Sequence, residues 1–278
     1  MANHESGPII ITYKSAPGPS NDAMRYEITA YYMSISNISV PLTKAIVINS
    51  SCMTNSLTAS LSRDPLAGGS YNSLSASMDY CSGPAPGVGN PFFYHVSIYK
   101  GFVTLPGPCS DYIFSTQRYG TFWFTDNIME ASPPLPASLS TFYTTLDNTL
   151  SPNSSPDIDF KDLYQRICLN TSVSEYDISE PDGDSLHFSS SGIAKFIQPV
   201  TEMSFESGFS ASLPFGAGNP INVNPATGVL QTQIQNTGTF AFTLKYEEFR
   251  KDNSGIYGKI GEGRYTYILE AASGCHLQ

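Results

Sequence analysis

The sequence predicts an all-β chain of two tandem β-sandwich, immunoglobulin-like domains, the first over 1–150 and the second over 151–278. Three observations carry this reading. Period-two alternation recurs along the chain, while no long segment repeats apolar residues at intervals of three and four. Glycine (22) and proline (20) punctuate the chain throughout, as many short strands joined by turns require. Hydrophobic residues make up 40% and aromatics 12%, enough for packed cores and against wholesale disorder.

Each element follows from local pattern. Tyr26 to Ile35 is a long strand of β-branched and aromatic residues. Residues 64–91 turn loop-like and end in Ser82-Gly83-Pro84-Ala85-Pro86-Gly87, where prolines lack the N–H of a ladder. Phe92 to Leu105 is a strand stopped by Pro106-Gly107-Pro108. Asp111 to Tyr119 and Thr121 to Thr125 flank Gly120 as a hairpin, and Ser138 to Leu146 closes the first half. Leu150-Ser151-Pro152-Asn153-Ser154-Ser155-Pro156, short and polar, is the expected boundary.

Beyond it come short strands at 158–160, 167–169, 174–178 and 185–189. A strand–turn–strand follows at Asn222 to Leu230, with Pro225 setting φ and Gly228 accepting a positive one. Gly238 to Tyr246 alternates: Phe240, Phe242, Leu244 and Tyr246 point one way, Ala241, Thr243 and Lys245 the other. That pattern predicts a strand with one face on a core. Arg264 to Leu269 is the last strand.

Charge narrows the functional classes. Lys+Arg 14 against Asp+Glu 24 leaves a formal net charge of −10, which argues against a nucleic-acid partner. No apolar run approaches the roughly 18 residues of a membrane helix, so membrane insertion is not expected. Low charge with abundant Ser, Thr, Tyr, Gly and Pro is the composition of a secreted β protein. The opening Met1-Ala2-Asn3-His4-Glu5 has neither a basic n-region nor an apolar h-region, so the expectation is an extracellular chain whose export signal is absent here.

The five cysteines, Cys52, Cys81, Cys109, Cys168 and Cys275, form no CxxC pair and have no histidine set for zinc. The expectation is Cys168–Cys275 in the second half and one pair among Cys52, Cys81 and Cys109 in the first, with Cys52–Cys81 the pairing adopted. Buried free thiols are the competing reading.

Catalytic signatures are scarce. The chain carries no GxSxG, HExxH, P-loop or GxGxxG after a strand, and of its four histidines His4 and His276 lie at the ends. His95 falls within a strand, and His187 follows an acidic turn. No catalytic residue is assigned, and the chain is read as non-enzymatic. Trp123, in Gly120-Thr121-Phe122-Trp123-Phe124-Thr125, is a candidate sugar-stacking platform, with a core position the competing reading.

The most specific local feature is Ser179-Glu180-Pro181-Asp182-Gly183-Asp184-Ser185. Three carboxylates within five residues repel unless a cation or solvent screens them, and calcium takes six to eight oxygens. Glu180, Asp182 and Asp184, joined by Glu247 and Asp252 from beyond the alternating strand, are the candidate calcium ligands. An Asx-type turn capping backbone N–H groups is the alternative.

These residues also carry a resemblance. Glu180 to Leu186, Asn222 to Leu230 and Gly238-Thr239-Phe240 resemble the cadherin-like, putative-Ig modules of bacterial surface proteins. Ile11-Thr12-Tyr13, Arg25 to Thr29, Thr104 to Pro108, Tyr112 to Ser115 with Arg118, and Glu247 to Asp252 resemble the large PKD-type, gliding-motility-associated surface proteins of Bacteroidetes. The family's paired cysteine near Tyr119-Gly120 is absent, so no disulfide pattern carries over. The resemblance implies a secreted or cell-surface protein exported by type IX secretion, acting in adhesion, gliding or a surface filament. Its partners would be neighbouring β modules, surface glycans or other cell-surface proteins. A carbohydrate-binding module of a secreted polysaccharide-degrading system is the second functional expectation.

Overall fold

The computed structural model describes residues 7–18, 24–34, 41–72, 93–119, 122, 125–129, 139–170, 172–174, 176, 178–252 and 254–272. Within them the chain is all-β, with a single short 3-10 turn at Phe160–Leu163 as its named helical element. The first half contributes β1 (Ile9–Ser15), β2 (Arg25–Ser34), β3 (Thr43–Asn49), β4 (Leu57–Asn72), β5 (Phe93–Thr104), β6 (Tyr112–Tyr119) and β7 (Leu139–Leu146). Short strands follow: β8 (Asp157–Ile158), β9 (Tyr164–Cys168), β10 (Ser172–Ser174) and β11 (Ile178–Ser179). Next come β12 (Ser185–Ser191), β13 (Ala194–Ile197), β14 (Val200–Glu202), β15 (Asn222–Val223) and β16 (Leu230–Gln233). Two long strands, β17 (Gly238–Lys251) and β18 (Tyr257–Ala272), are the last described elements.

Eleven of these strands form one large, curled sheet in the order β1-β2-β5-β4-β3-β6-β7-β18-β17-β12, with β9 added parallel to β18. The curl brings β1 back against β7 and β18. That closure explains why Ile9, Ile10, Ile11 and Tyr13 are all buried although β1 hydrogen-bonds to β2 alone among the strands. Its other edge is covered by the segment after β7. Tyr13 N–H donates to Ser155 Oγ at 2.9 Å, Ser155 N–H donates to the Tyr13 carbonyl at 2.9 Å, and Ser15 N–H donates to Ser154 Oγ at 3.3 Å. An open strand edge is thereby satisfied within the chain. Arg118, itself buried, donates through one guanidinium nitrogen to the carbonyls of Gly7 and Met33 at 2.8 and 2.7 Å, pinning the start of β1 to β6.

The stretch expected as the domain boundary is therefore packed along β1, and the sheet runs across it: Gly261–Gly263 of β18 pair with Thr144–Leu146 of β7. The core is aromatic on both sides of this seam. Tyr13 stacks on Phe114 with centroids 5.2 Å apart, and Phe242 stacks on Tyr267 at 5.2 Å.

Several sequence expectations are met in type and shifted in extent. β2, β5, β6 and β7 fall where alternation placed them. Asp64 to Asn72, expected as loop, continue β4; residues 73–92 lie outside the described residues. The proposed hairpin partner of Asp111 to Tyr119 is corrected, since β6 pairs with β7 and β3; of the expected strand Thr121 to Thr125, Thr121, Trp123 and Phe124 lie outside the described residues, and Thr125 N–H donates to the Phe122 carbonyl. β17 is buried on both faces as far as Leu244, not on one. Asn127, fully buried, donates to the carbonyls of Ala241 and Pro214 and accepts the Ala241 N–H, so it satisfies the edge of β17 that runs on past its pairing with β12.

The disulfide joins Cys52 to Cys109, with Cα atoms 6.1 Å apart, and corrects the expected Cys52–Cys81 pairing. The cause is register. β3 pairs with β6 so that Asn49 lies opposite Ile113, which brings the turn after β3 beside the segment entering β6. Cys81 lies outside the described residues. So does Cys275, while Cys168 ends β9 with its backbone opposite Ala272.

Candidate functional site

The acidic turn sits where three parts of the chain meet: the turn between β11 and β12, the 151–155 segment after β7, and the far end of β17. β12 pairs with β17 so that Ser185 lies opposite Phe249, which places Asp184 beside Arg250. One ligand atom from each of Glu180, Asp182 and Asp184 lies within 4.8 Å of the other two.

Most of these oxygens already have donors. The Glu180 carboxylate accepts the backbone N–H groups of Asp182 (3.0 Å) and Asp184 (2.5 Å), so it folds the turn back on itself around Gly183 at φ 82°. Asp182 accepts Ser154 N–H at 2.6 Å, tying the turn to the segment that seals β1. Asp184, whose side chain is 5% exposed, is gripped by Arg250. The Arg250 Nε–H donates to Oδ1 at 2.8 Å and an Nη2–H to Oδ2, the two-pronged arrangement that suits guanidinium and carboxylate. The same guanidinium donates to Asn153 Oδ1 (2.6 Å), the Pro152 carbonyl (3.2 Å) and Ser151 Oγ. Arg250 is thus the counter-charge that sequence reading left unassigned.

A fourth carboxylate was also missed. Glu248 is fully buried, receives Asn153 Nδ2–H on Oε2 at 2.8 Å, and has no hydrogen-bond partner on Oε1. Burial pushes its carboxyl up to about 8; the Asn153 bond pulls the other way, and the neighbouring charges of Asp184 and Glu180 add to the rise. Opposite it stands Gly261, where a Cβ would fall 2.7 Å from Glu248 Oε2. Gly263 opens the same kind of space for Tyr246, whose ring atoms would lie 2.6 Å from a Cβ there. The alternation Gly261-Glu262-Gly263 is the floor on which Tyr246 and Glu248 rest.

A sequence signal for both residues existed. Phe240, Phe242, Leu244 and Tyr246 share the inward face, and continuing that parity puts Glu248 and Arg250 inward and Glu247 outward.

Glu247 and Asp252, offered as ligands, are accordingly elsewhere. Glu247 joins a surface network with Lys245 (3.0 Å) and Lys259 (3.3 Å), with His187 3.9 Å away. Glu262 completes that network, 2.6 Å from Lys259. Burial raises the Glu247 and Glu262 carboxyls, and the two lysines outweigh it, holding both below the usual range. Asp252 caps its own hairpin turn, accepting the N–H groups of Ser254 and Ile256. Trp123 lies outside the described residues.

Beside the acidic turn a groove of about 150 Å³ opens between β1, β2 and the 154–157 segment; Lys14, Glu27, Tyr31 and Asp157 are among its lining residues. Tyr31 stacks on Phe160 with centroids 5.7 Å apart, so its ring is held in place. No family model matches the chain, and no curated protein matches it. Among the described residues no helix is long and apolar enough to cross a membrane.

Proposed function

We propose that this chain is a non-enzymatic structural or adhesive ectodomain of a secreted bacterial cell-surface protein, its halves acting as two immunoglobulin-like β modules joined through a shared sheet. The observation that carries the reading is the Cys52–Cys109 disulfide between the turn after β3 and the segment entering β6, because disulfides form and persist in oxidising compartments. A sheet whose first edge is sealed by its own chain suits a protein that must resist pairing with stray strands outside the cell. The resemblance to gliding-associated surface proteins supports the same placement, with neighbouring β modules, surface glycans or other surface proteins as partners.

The test is surface biotinylation of intact producing cells, followed by non-reducing peptide mapping. The reading expects a labelled chain with Cys52 and Cys109 linked. A chain protected from the reagent, with both thiols free, would overturn it.

The groove at Tyr31 favours one second reading, a carbohydrate-binding module. An aromatic ring backed by Phe160 beside Glu27, Asp157 and Lys14 combines a stacking face with polar groups for sugar hydroxyls. A glycan-array hit lost in Tyr31→Ala would select it over the structural role.

A further inference from the structure

We propose that the outer face of β1, β2 and β5 binds an extended, uncharged oligosaccharide laid along β2 from the Tyr31 groove to Phe102; this deepens the carbohydrate-binding reading and rests on it.

Strand parity builds the face. Tyr26, Ile28, Ala30 and Tyr32 of β2 are buried in the core, so Arg25, Glu27, Thr29 and Tyr31 project from the other side, each half-buried. Register brings residues of both neighbouring strands onto that side. Lys14 of β1 and Phe102 of β5 lie opposite Glu27, and Thr12 and Lys100 lie opposite Thr29. Phe102 is 52% exposed although β5 is an interior strand between β2 and β4, so the ring stands on an open face and not at a sheet edge.

Both aromatic rings are braced from one side. Tyr31 stacks on Phe160. The Arg25 guanidinium lies over Phe102, 3.7 Å from the ring centroid, and its Nη1–H donates to the Ala16 carbonyl at 3.1 Å. A ring already held in this way gives up little freedom when a sugar stacks on the surface left open. Phe102 faces Glu27, four residues from Tyr31 along β2, and at about 3.3 Å per residue the two platforms stand roughly 13 Å apart. That span exceeds a single sugar ring. Along it Glu27 and Thr29 offer a carboxylate and a hydroxyl, and Asp157 lines the groove beside Tyr31.

Charge selects among sugars. Lys100 lies 3.5 Å from Asp64, Lys14 has Glu27 opposite it, and Arg25 is committed to Phe102 and Ala16. With these cations engaged, the face has no positive charge to spare for an acidic glycan. Carboxylate and hydroxyl groups beside aromatic platforms suit neutral sugars, whose hydroxyls donate and accept and whose ring C–H faces stack.

The experiment titrates the full chain in a calorimeter with cello-, xylo-, manno- and malto-oligosaccharides, each as disaccharide and pentasaccharide. One series should bind, its pentasaccharide at least about tenfold tighter than its disaccharide because it reaches both rings. Phe102→Ala removes a solvent-facing ring, should keep the wild-type circular dichroism spectrum, and should lose that gain with disaccharide affinity unchanged. Tyr31→Ala should weaken both lengths, and Tyr257→Ala, at an exposed aromatic of β18, neither. Affinity should persist at roughly 1 M salt, where the Debye length is about 3 Å. Equal affinity for the two lengths, or wild-type pentasaccharide affinity in Phe102→Ala, overturns the extended site and leaves the carbohydrate-binding reading confined to the Tyr31 groove. Tighter binding of oligogalacturonate or of glucosamine oligomers overturns the uncharged ligand. A complete absence of binding heat overturns this inference and the carbohydrate-binding reading together.

Discussion

Replacing Arg250 by methionine tests how the acidic turn is held. The side chain is 18% exposed and its principal partner, Asp184, 5% exposed, so the pair is largely removed from water. Arg250→Met deletes both bonds to Asp184 and those to Asn153, Ser151 and Pro152, and it leaves Asp184 ionised beside Asp182, Glu180 and Glu248. Breaking a buried ion pair by removing one partner costs about 3–5 kcal/mol, most of it the penalty on the abandoned charge. Partial exposure at Arg250 places the expectation at the low end, about 3 kcal/mol. With a urea m-value of about 3 kcal/mol/M, the midpoint should fall by roughly 1 M in chelator-containing buffer. The double variant Asp184→Asn/Arg250→Met removes the stranded charge and should recover about half of the loss. A loss under about 1 kcal/mol, the range of exposed surface pairs, would refute the reasoning, as would a double variant no better than the single.

Other perturbations follow from the same geometry. Cys52→Ser/Cys109→Ser opens a loop of sequence separation 57 and should cost about 4 kcal/mol on the chain-entropy account; equal Tm values for the oxidised and double-serine proteins would contradict it. Gly261→Ala places a Cβ against Glu248 Oε2 and the Thr145 carbonyl, and should destabilise by about 1–3 kcal/mol, whereas Gly258→Ala, with open space around it, should not; thermal melts of the two compare them directly. Glu262 has its carboxyl depressed in the folded state, so its contribution is present above the unfolded pKa and is lost as pH falls through the folded one. Stability should decline below about pH 4.5, and Glu262→Gln should flatten that acid limb in urea titrations; an unchanged limb would show that Lys245 and Lys259 do not engage it.

How much was legible in the sequence depended on whether the deciding interaction was local. Strong alternation located β2, β5, β6 and β17, and Pro106-Gly107-Pro108 marked where β5 ends, because both signals lie within the strand itself. β3 and β4 were passed over because Lys44, Ser60 and Ser62 make them polar on one face and thin in aromatic residues. Pairing was hidden for a different reason. Nothing local to Gly261–Gly263 says that its partner is β7, more than a hundred residues earlier, or that β9 will lie parallel to β18. The same holds for the disulfide, which β3–β6 register decides. At the site, the turn Glu180 to Asp184 was visible as charge density on a Pro/Gly frame. Glu248 and Arg250 were missed because proximity in sequence favoured Glu247 and Asp252, although the parity of β17 sends Glu248 and Arg250 inward.

The β7–β18 seam and the segment packed on β1 tie both halves of the chain into one body. Differential scanning calorimetry of the full chain tests it most directly. A single cooperative body should melt in one transition whose calorimetric and van't Hoff enthalpies agree. Two resolved transitions, one unaffected when Gly261→Ala disturbs the seam, would contradict it.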